Sequence, residues 1–312
     1  MNAFLSELGK KLAERWVSLL VVPGTLFIAL AAAGSTLGHR HALDGRMLDH
    51  AVEELTAHYD RRPVSAVLLF VAILVAAATA GLLARALGTA VERAWLISGP
   101  EWLTGRLTRR RQDRWASAAA DVEEAAAADR AAFLTRMRQD RRASAAADVE
   151  EAAAADRAAL SDARNAIALT RPARPTWIGD RLRGVGARVH AQYGLDFTFT
   201  WPRLWTLLPE VCRNDLIAAR EAMVSAATTS GWGLLYLCLG FMWWPGALAG
   251  TGLMLLGWRR GREAAANLAD LTEAAVDLYA ADLALLLGVD LPSGHVTPAV
   301  GRQLSERFRK GA

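Results

Sequence analysis

Apolar residues in this chain are gathered into long blocks separated by charged stretches. The first uncharged block runs from Trp16 to Gly38, and the second from Val64 to Ala84, where Arg85 ends it. Each supplies the roughly 20 apolar residues that a helix needs to cross a bilayer core. Backbone amides in lipid find partners only within their own segment, so both blocks are predicted helices. Pro23 and Gly24 predict a kink in the first, because proline removes a helix hydrogen bond.

The third block, Ala222 to Trp258, holds no charged residue and is too long for a single pass. Inside it, Trp243-Trp244-Pro245-Gly246 predicts a turn, since proline opens a helix well and glycine loosens the link. The block then reads as one full pass and one short pass of roughly 13–16 residues, with a re-entrant hairpin as the alternative for the short one. Lys10, Lys11 and Arg15 ahead of the first block, with Ala31-Ala32-Ala33 inside it, resemble a cleavable signal peptide. Glu7 and Glu14 in the flank, and the length of the apolar run, favour an uncleaved anchor.

Arginine and lysine near the membrane ends set the expected orientation. Lys10, Lys11 and Arg15 precede the first pass; Arg85, Arg93, Arg106, Arg109, Arg110, Arg111 and Arg114 follow the second; Arg259, Arg260 and Arg262 follow the last. The loop from His39 to Pro63 offsets its four arginines with five acidic residues. Four passes put the first three groups on the cytoplasmic side together, whereas a single pass through the last block strands Arg259 and Arg260 outside. Trp16, Trp95, Trp102, Trp243, Trp244 and Trp258 flank the apolar blocks, where amphipathic rings favour the membrane interface.

The expected fold is therefore all-α: a polytopic helical protein of the cell membrane, with two transmembrane hairpins (four helices), a long alanine-rich cytoplasmic helical segment, and both termini in the cytoplasm. Its predicted parts are a membrane hairpin over 1–88 (helices at about 16–38 and 64–85, outer loop 39–63), an interfacial and repeat segment over 89–171, a cap over 172–221, a second membrane hairpin over 222–258, and an amphipathic helix with a basic tail over 259–312. Residues 89–108 mix Val91, Trp95, Leu96, Ile97, Trp102 and Leu103 with charges, a pattern that predicts a short helix in the headgroup region. The following Arg109-Arg110-Arg111 run suits anionic lipid, at about 1 kcal/mol per residue near the surface. It lacks the interleaved aromatics of a nucleic-acid platform.

A repeat follows. Arg111–Ala132 matches Arg138–Ala159 at every position except Trp115 against Arg142, an offset of 27 residues. Its alanine content makes helix the prediction, and the scarcity of large apolar residues argues against a tight coiled-coil seam. In a straight helix an insertion of 27 residues turns everything downstream by about half a circle, which suits a spacer of variable length. The charges offer another reading: acidic stretches at 121–129 and 148–156 alternate with basic residues at 130–142, so staggered copies can pair within one chain or between two.

Composition narrows the function. The chain is 53% hydrophobic yet 22% charged, with mean hydropathy +0.16 and pI near 9.4, which fits segregated blocks. Its two cysteines, Cys212 and Cys238, have no neighbours at ligand spacing, so a thiol zinc cluster and a disulfide framework are excluded. Heavy alanine and arginine use points to a bacterial source. The nearest approach to a metal site is His50, Glu54 and His58, one helical turn apart in the outer loop, with His39 and His41 nearby; a solvated helix face is the ordinary reading. No Walker loop, dinucleotide fingerprint or nucleophile elbow is present, and Gly184-Val185-Gly186 is only a glycine pair. No Asp, Glu, Lys or Arg interrupts the membrane blocks, which weighs against an ion-coupled transporter. Ala76, Ala80 and Ala84, and Gly246 with Gly250, are small-residue faces suited to close helix packing.

Pro172 and Pro175 end the repeat helix. The segment behind them carries Pro175-Thr176-Trp177-Ile178-Gly179, Tyr193-Gly194-Leu195-Asp196 and Trp201-Pro202-Arg203-Leu204-Trp205. Over about residues 174–245 this pattern resembles a group of uncharacterised, mainly actinobacterial integral membrane proteins. The resemblance implies membrane topology and no activity. Further on, Leu268, Leu271, Ala275, Leu278 and Leu285 are expected to share the buried face of a helix over 264–288, with Asp270, Glu273, Asp277 and Asp282 away from it. The expected function is a non-enzymatic membrane-anchored scaffold, sensor or recruiting module without cofactor or metal; the alternative is an oligomeric channel or membrane-disrupting effector. The expected partners are the lipid bilayer with its anionic headgroups, and a second copy or another protein. Nucleic acid is not among them.

Overall fold

The computed structural model describes residues 22–60, 63–97, 101–138 and 143–309. Among these residues the regular structure is entirely helical: α1 (Val22–Leu37), α2 (Gly45–Asp60), α3 (Pro63–Trp95), α4 (Glu101–Arg138), α5 (Ala143–Ile167), α6 (Trp177–Tyr193), α7 (Phe197–Leu207), α8 (Glu210–Leu239), α9 (Trp244–Leu286) and α10 (Pro298–Arg309). The chain divides into two compact units, residues 1–94 with 221–261, and residues 95–220 with 262–312.

Close backbone approach holds the first unit together. A side chain at Gly24 of α1 would overlap the Ala77 carbonyl of α3, and one at Gly231 of α8 would overlap the Ala84 carbonyl of α3. Gly88 lies as near to α8: a Cβ there would sit 2.8 Å from the Thr228 Cα. Gly233 and Gly250 bring α8 and α9 together in the same way. Small residues at such crossings let helix backbones approach and gain dispersion energy without a large buried side chain. Larger groups fill the remaining gap, with Phe27 edge-on to Tyr236 at 5.2 Å between ring centroids and tilted against Trp232. At one end the loop after α1 meets the α8–α9 turn: Trp243 Nε1 donates to the Ala42 carbonyl at 2.9 Å, and His39 Nε2 lies 2.9 Å from the Phe241 carbonyl.

Two helices, α3 and α8, are long and apolar enough to cross a membrane. The other two predicted passes are shorter. α1 is a 16-residue apolar helix in its described part, the residues before Val22 lying outside the description. The apolar start of α9 runs without a break into the charged residues beyond Trp258, as one helix of 43 residues. The expected separate helix over 89–108 is not formed. Nothing between Arg85 and Trp95 breaks a helix, so α3 continues to Trp95, and α4 begins only after the Ser98-Gly99-Pro100 stop.

In the second unit, α6, α7, α10 and the adjoining parts of α8 and α9 share one apolar core, with Leu195, Leu204, Val276 and Leu304 fully enclosed. Thr176 caps α6 by accepting from the Gly179 amide at 3.1 Å, and Gly194 ends the helix at φ +69°, a left-handed position natural to glycine. Asp196 then caps α7 by accepting from the Thr198 amide. Ser305 of α10 pins this junction: its hydroxyl accepts from the Asp196 amide at 2.8 Å and donates to the Gly301 carbonyl at 2.8 Å.

The buried face of α9 matches the expected one in part. Ala275 is buried and Leu268 and Leu271 pack against the core, but Leu278 and Leu285 are 67% and 57% exposed. Ala265, Ala269, Val276, Ala280, Leu283 and Ala284 complete the inward stripe, and its alanines allow a close approach to the core.

The repeat also departs from a straight rod. α4 carries the first copy and α5 most of the second, and the two helices pack antiparallel: Trp115 near the start of α4 reaches Ala168 just beyond α5, while Asp129 pairs with Arg157. The half-circle rotation expected of a straight helix therefore does not arise, because α4 and α5 lie antiparallel.

Candidate functional site

The residues between α5 and α6 present backbone carbonyls and amides that need partners away from any helix ladder. Arg111 serves two of the carbonyls and two acceptors on the flanking helices. Its guanidinium donates through Nη1 to the carbonyls of Arg174 (2.7 Å) and Thr176 (2.9 Å) and to Asp180 Oδ2 (2.5 Å), and through Nη2 to the Ile167 carbonyl (3.0 Å). Asp180 is 8% exposed and lies in the first turn of α6, where the helix dipole favours a carboxylate. Its Oδ1 accepts from the Ala173 and Arg174 amides at 2.9 and 2.8 Å. Gln112 donates to the Pro172 carbonyl and Trp115 Nε1 to the Ala168 carbonyl. Arg174 and Thr176 in turn donate to the carbonyls of Leu96 and Trp95.

This clamp ties three segments remote in sequence into one hydrogen-bonded knot. A cleft of about 140 Å³ opens beside it, lined by Asn165, Thr170, Trp177, Asp180, Arg181 and Gly184 among others. The polar groups around it are occupied: Asp180 by Arg111, and Arg181 by Asp270 and Glu273. Arg188 also reaches Glu273, at 3.1 Å. Burial raises the Glu273 pKa, against the pull of the Arg188 and Arg181 charges. Burial and the hydrogen bond to Asp277 push the Tyr193 hydroxyl up to about 12. Arg309, donating to Asp196 at 2.7 Å, holds that carboxyl below its ordinary value and joins the end of α10 to the start of α7.

The residues singled out from the sequence fall in several environments. Trp16 lies outside the described residues, as does the side chain of Trp102. Trp95 ends α3 half-buried, Trp243 is half-buried in the α8–α9 turn, and Trp244 and Trp258 are exposed on α9. Arg109, Arg110, Arg259 and Arg260 are exposed, but Arg111 is drawn into the clamp. Sequence reasoning grouped Arg111 with its neighbours in a basic run. Asp180, its partner 69 residues on, went unnoticed; the capping pattern Thr176-x-x-Gly179-Asp180 was the available signal.

Of the histidine pattern, only His50 has a described side chain, and it lies 3.7 Å from Glu53; those of Glu54 and His58 are outside the described residues. No three His, Cys, Asp or Glu side chains converge as a metal requires among the residues described. No family model, curated protein or solved structure matches the chain.

Proposed function

We propose that the chain is a non-enzymatic integral membrane protein, a membrane-anchored scaffold or recruiting module. It is multi-pass in the cell membrane, with α1, α3, the apolar part of α8 and the start of α9 crossing, and with N- and C-termini in the cytoplasm. One observation carries the reading. The large side chains of α3 point away from the protein: Val64, Val67, Leu68, Phe70, Val71 and Val75 are all exposed, Val64 at 72%. Only 17% of the helix's most apolar window is buried, against 50% in α8. A continuous apolar surface of this kind is costly in water and neutral in lipid.

The contacts of the first unit support the four-pass arrangement, because the loop after α1 and the α8–α9 turn meet at one end, as two outer connections would. The second unit is the candidate recruiting part, attached by exposed arginines that suit anionic headgroups. The resemblance of residues 174–245 to bacterial membrane proteins belongs to the same proposal.

The test combines extraction with labelling. The protein should resist alkaline carbonate and float with membranes. With Cys212 and Cys238 replaced by serine, a single cysteine at the exposed Leu43 should react with an impermeant maleimide from outside intact cells, and one at Arg307 only after lysis. Release by carbonate sinks the proposal, and labelling of Arg307→Cys from outside reverses the topology. Capture of a stoichiometric partner in mild detergent would establish recruitment; ion flux through reconstituted liposomes would replace it with a pore.

A further inference from the structure

The two copies of the repeat meet in the α4–α5 hairpin at one place. Arg157 Nε of the second copy pairs with Asp129 Oδ2 of the first, and Ala126, Asp129, Phe133, Ala153 and Arg157 line one cleft of about 350 Å³ there. In an antiparallel pair fixed by this contact, Ala127–Ala132 lies against Ala154–Ala159. Both segments read Ala-Ala-Asp-Arg-Ala-Ala. The rest of the first copy runs along residues after the repeat, including the clamp at Ala168. The hexapeptide therefore faces itself, and an Asp-Arg pair reversed against an Asp-Arg pair is complementary in charge. The alanines around it keep the helices close and impose no chain-specific shape.

A contact between identical segments related by a local two-fold axis is the form that a symmetric dimer interface takes. We propose that this hairpin is a homodimer contact made internal by duplication, and that its alternative partner is the same hexapeptide of a second copy of this chain. The number of repeats then decides whether the segment closes within one chain or between two. With two copies, α5 folds back on its own α4. With one copy, the chain after Ala132 continues as helix away from Arg111, and the residues that satisfy Arg111 and Trp115 must come from another molecule. The 27-residue period preserves the register in both cases, because the second hexapeptide replaces the first without a shift. The inference does not depend on membrane placement.

Deleting residues 133–159 from the full chain removes one period and joins Ala132 to Leu160. In mild detergent the deleted protein is expected to have twice the chain number of the intact one. Asp129→Cys with Arg130→Cys in the deleted protein should give a chain-to-chain disulfide that the intact protein does not form with the same two substitutions. An unchanged mass overturns the proposal.

A second test keeps both copies and guards against a deletion that fails to fold. Asp129→Arg places like charges opposite each other in one full chain, and Arg157→Asp does so in another. Exchange of α5 between these two chains restores an ion pair in each hairpin. Co-expressed with different tags, the two variants should be captured together on the order of fivefold more than either with itself, the preference two exposed ion pairs supply. Equal capture in all combinations overturns the proposal as well.

Discussion

The two units achieve packing by opposite means. In the first, glycines and alanines make the closest helix crossings, as at Gly231 against Ala84, while large residues of α3 such as Phe70 project from the protein. In the second, leucines and valines face inward, and charges are either exposed or paired, as Asp180 is with Arg111. On the proposed membrane placement, the difference is one of solvent. Water drives large apolar groups to the centre, whereas in lipid that drive vanishes and close backbone contact decides which surfaces meet.

The largest break in the comparison is expected at Asp180. Asp180→Leu leaves Arg111 without its carboxylate and two backbone amides without their acceptor in a buried site, a change of about 3–5 kcal/mol. Chemical unfolding of the protein in detergent should show it, with the transition of the second unit moving to much lower denaturant. Charge on an outward face comes next and sharpens the contrast between units. Phe70→Asp is expected to cost about 2.5–3.5 kcal/mol by the scale for acids in a bilayer, read as failed membrane insertion. Leu278→Asp, equally outward but in the second unit, should stay within about 0.5 kcal/mol. Equal costs at the two positions would mean that one solvent surrounds both units.

Gly231→Val follows, at about 1–3 kcal/mol for overpacking a close crossing, visible as a lower midpoint of thermal aggregation in detergent. The smallest effect is in pH. The raised pKa of Glu273 means that the folded protein keeps this proton to higher pH than the unfolded chain does, so its contribution to stability is complete below the ordinary value of 4.5 and declines as pH rises through the raised one. Glu273→Gln should remove that decline, by under about 1 kcal/mol. Asp196, with its lowered pKa, contributes the opposite slope: stability present above 3.8 and lost as pH falls further. Melting curves of each variant across acid to neutral pH separate the two.

How much of this was legible in the sequence depends on how local the signal was. Helical class, the start of α3 and the turn after Leu239 follow from uninterrupted apolar runs and from Pro245-Gly246, signals read within a few residues. The inward face of α9 was legible only in part: Leu268, Leu271 and Ala275 meet the core, but leucine weighs more than alanine in a periodicity argument, so Leu278 and Leu285 were included where Ala269 and Ala280 fit. Pairing of the two copies within one chain was only an alternative reading, because residues 101–167 are helix-forming nearly throughout; the contacts of Trp115 with Ala168 and of Asp129 with Arg157 show the antiparallel arrangement. The clamp at Arg111 joins residues more than fifty positions apart, and nothing in the basic run itself marks which of its three arginines is the buried one.

The single mismatch between the repeat copies has an evolutionary consequence. Trp115 fills a place that only the first copy occupies, holding Ala168 by its indole nitrogen. At the matching position of the second copy, 142, the sequence has arginine. Many of the identical positions are solvent-facing alanines and acids, at which a helix accepts most replacements with little loss. Their agreement therefore records time rather than selection: the segment was copied recently in the history of this gene, and Trp115 is the first position at which the two copies have ceased to be equivalent.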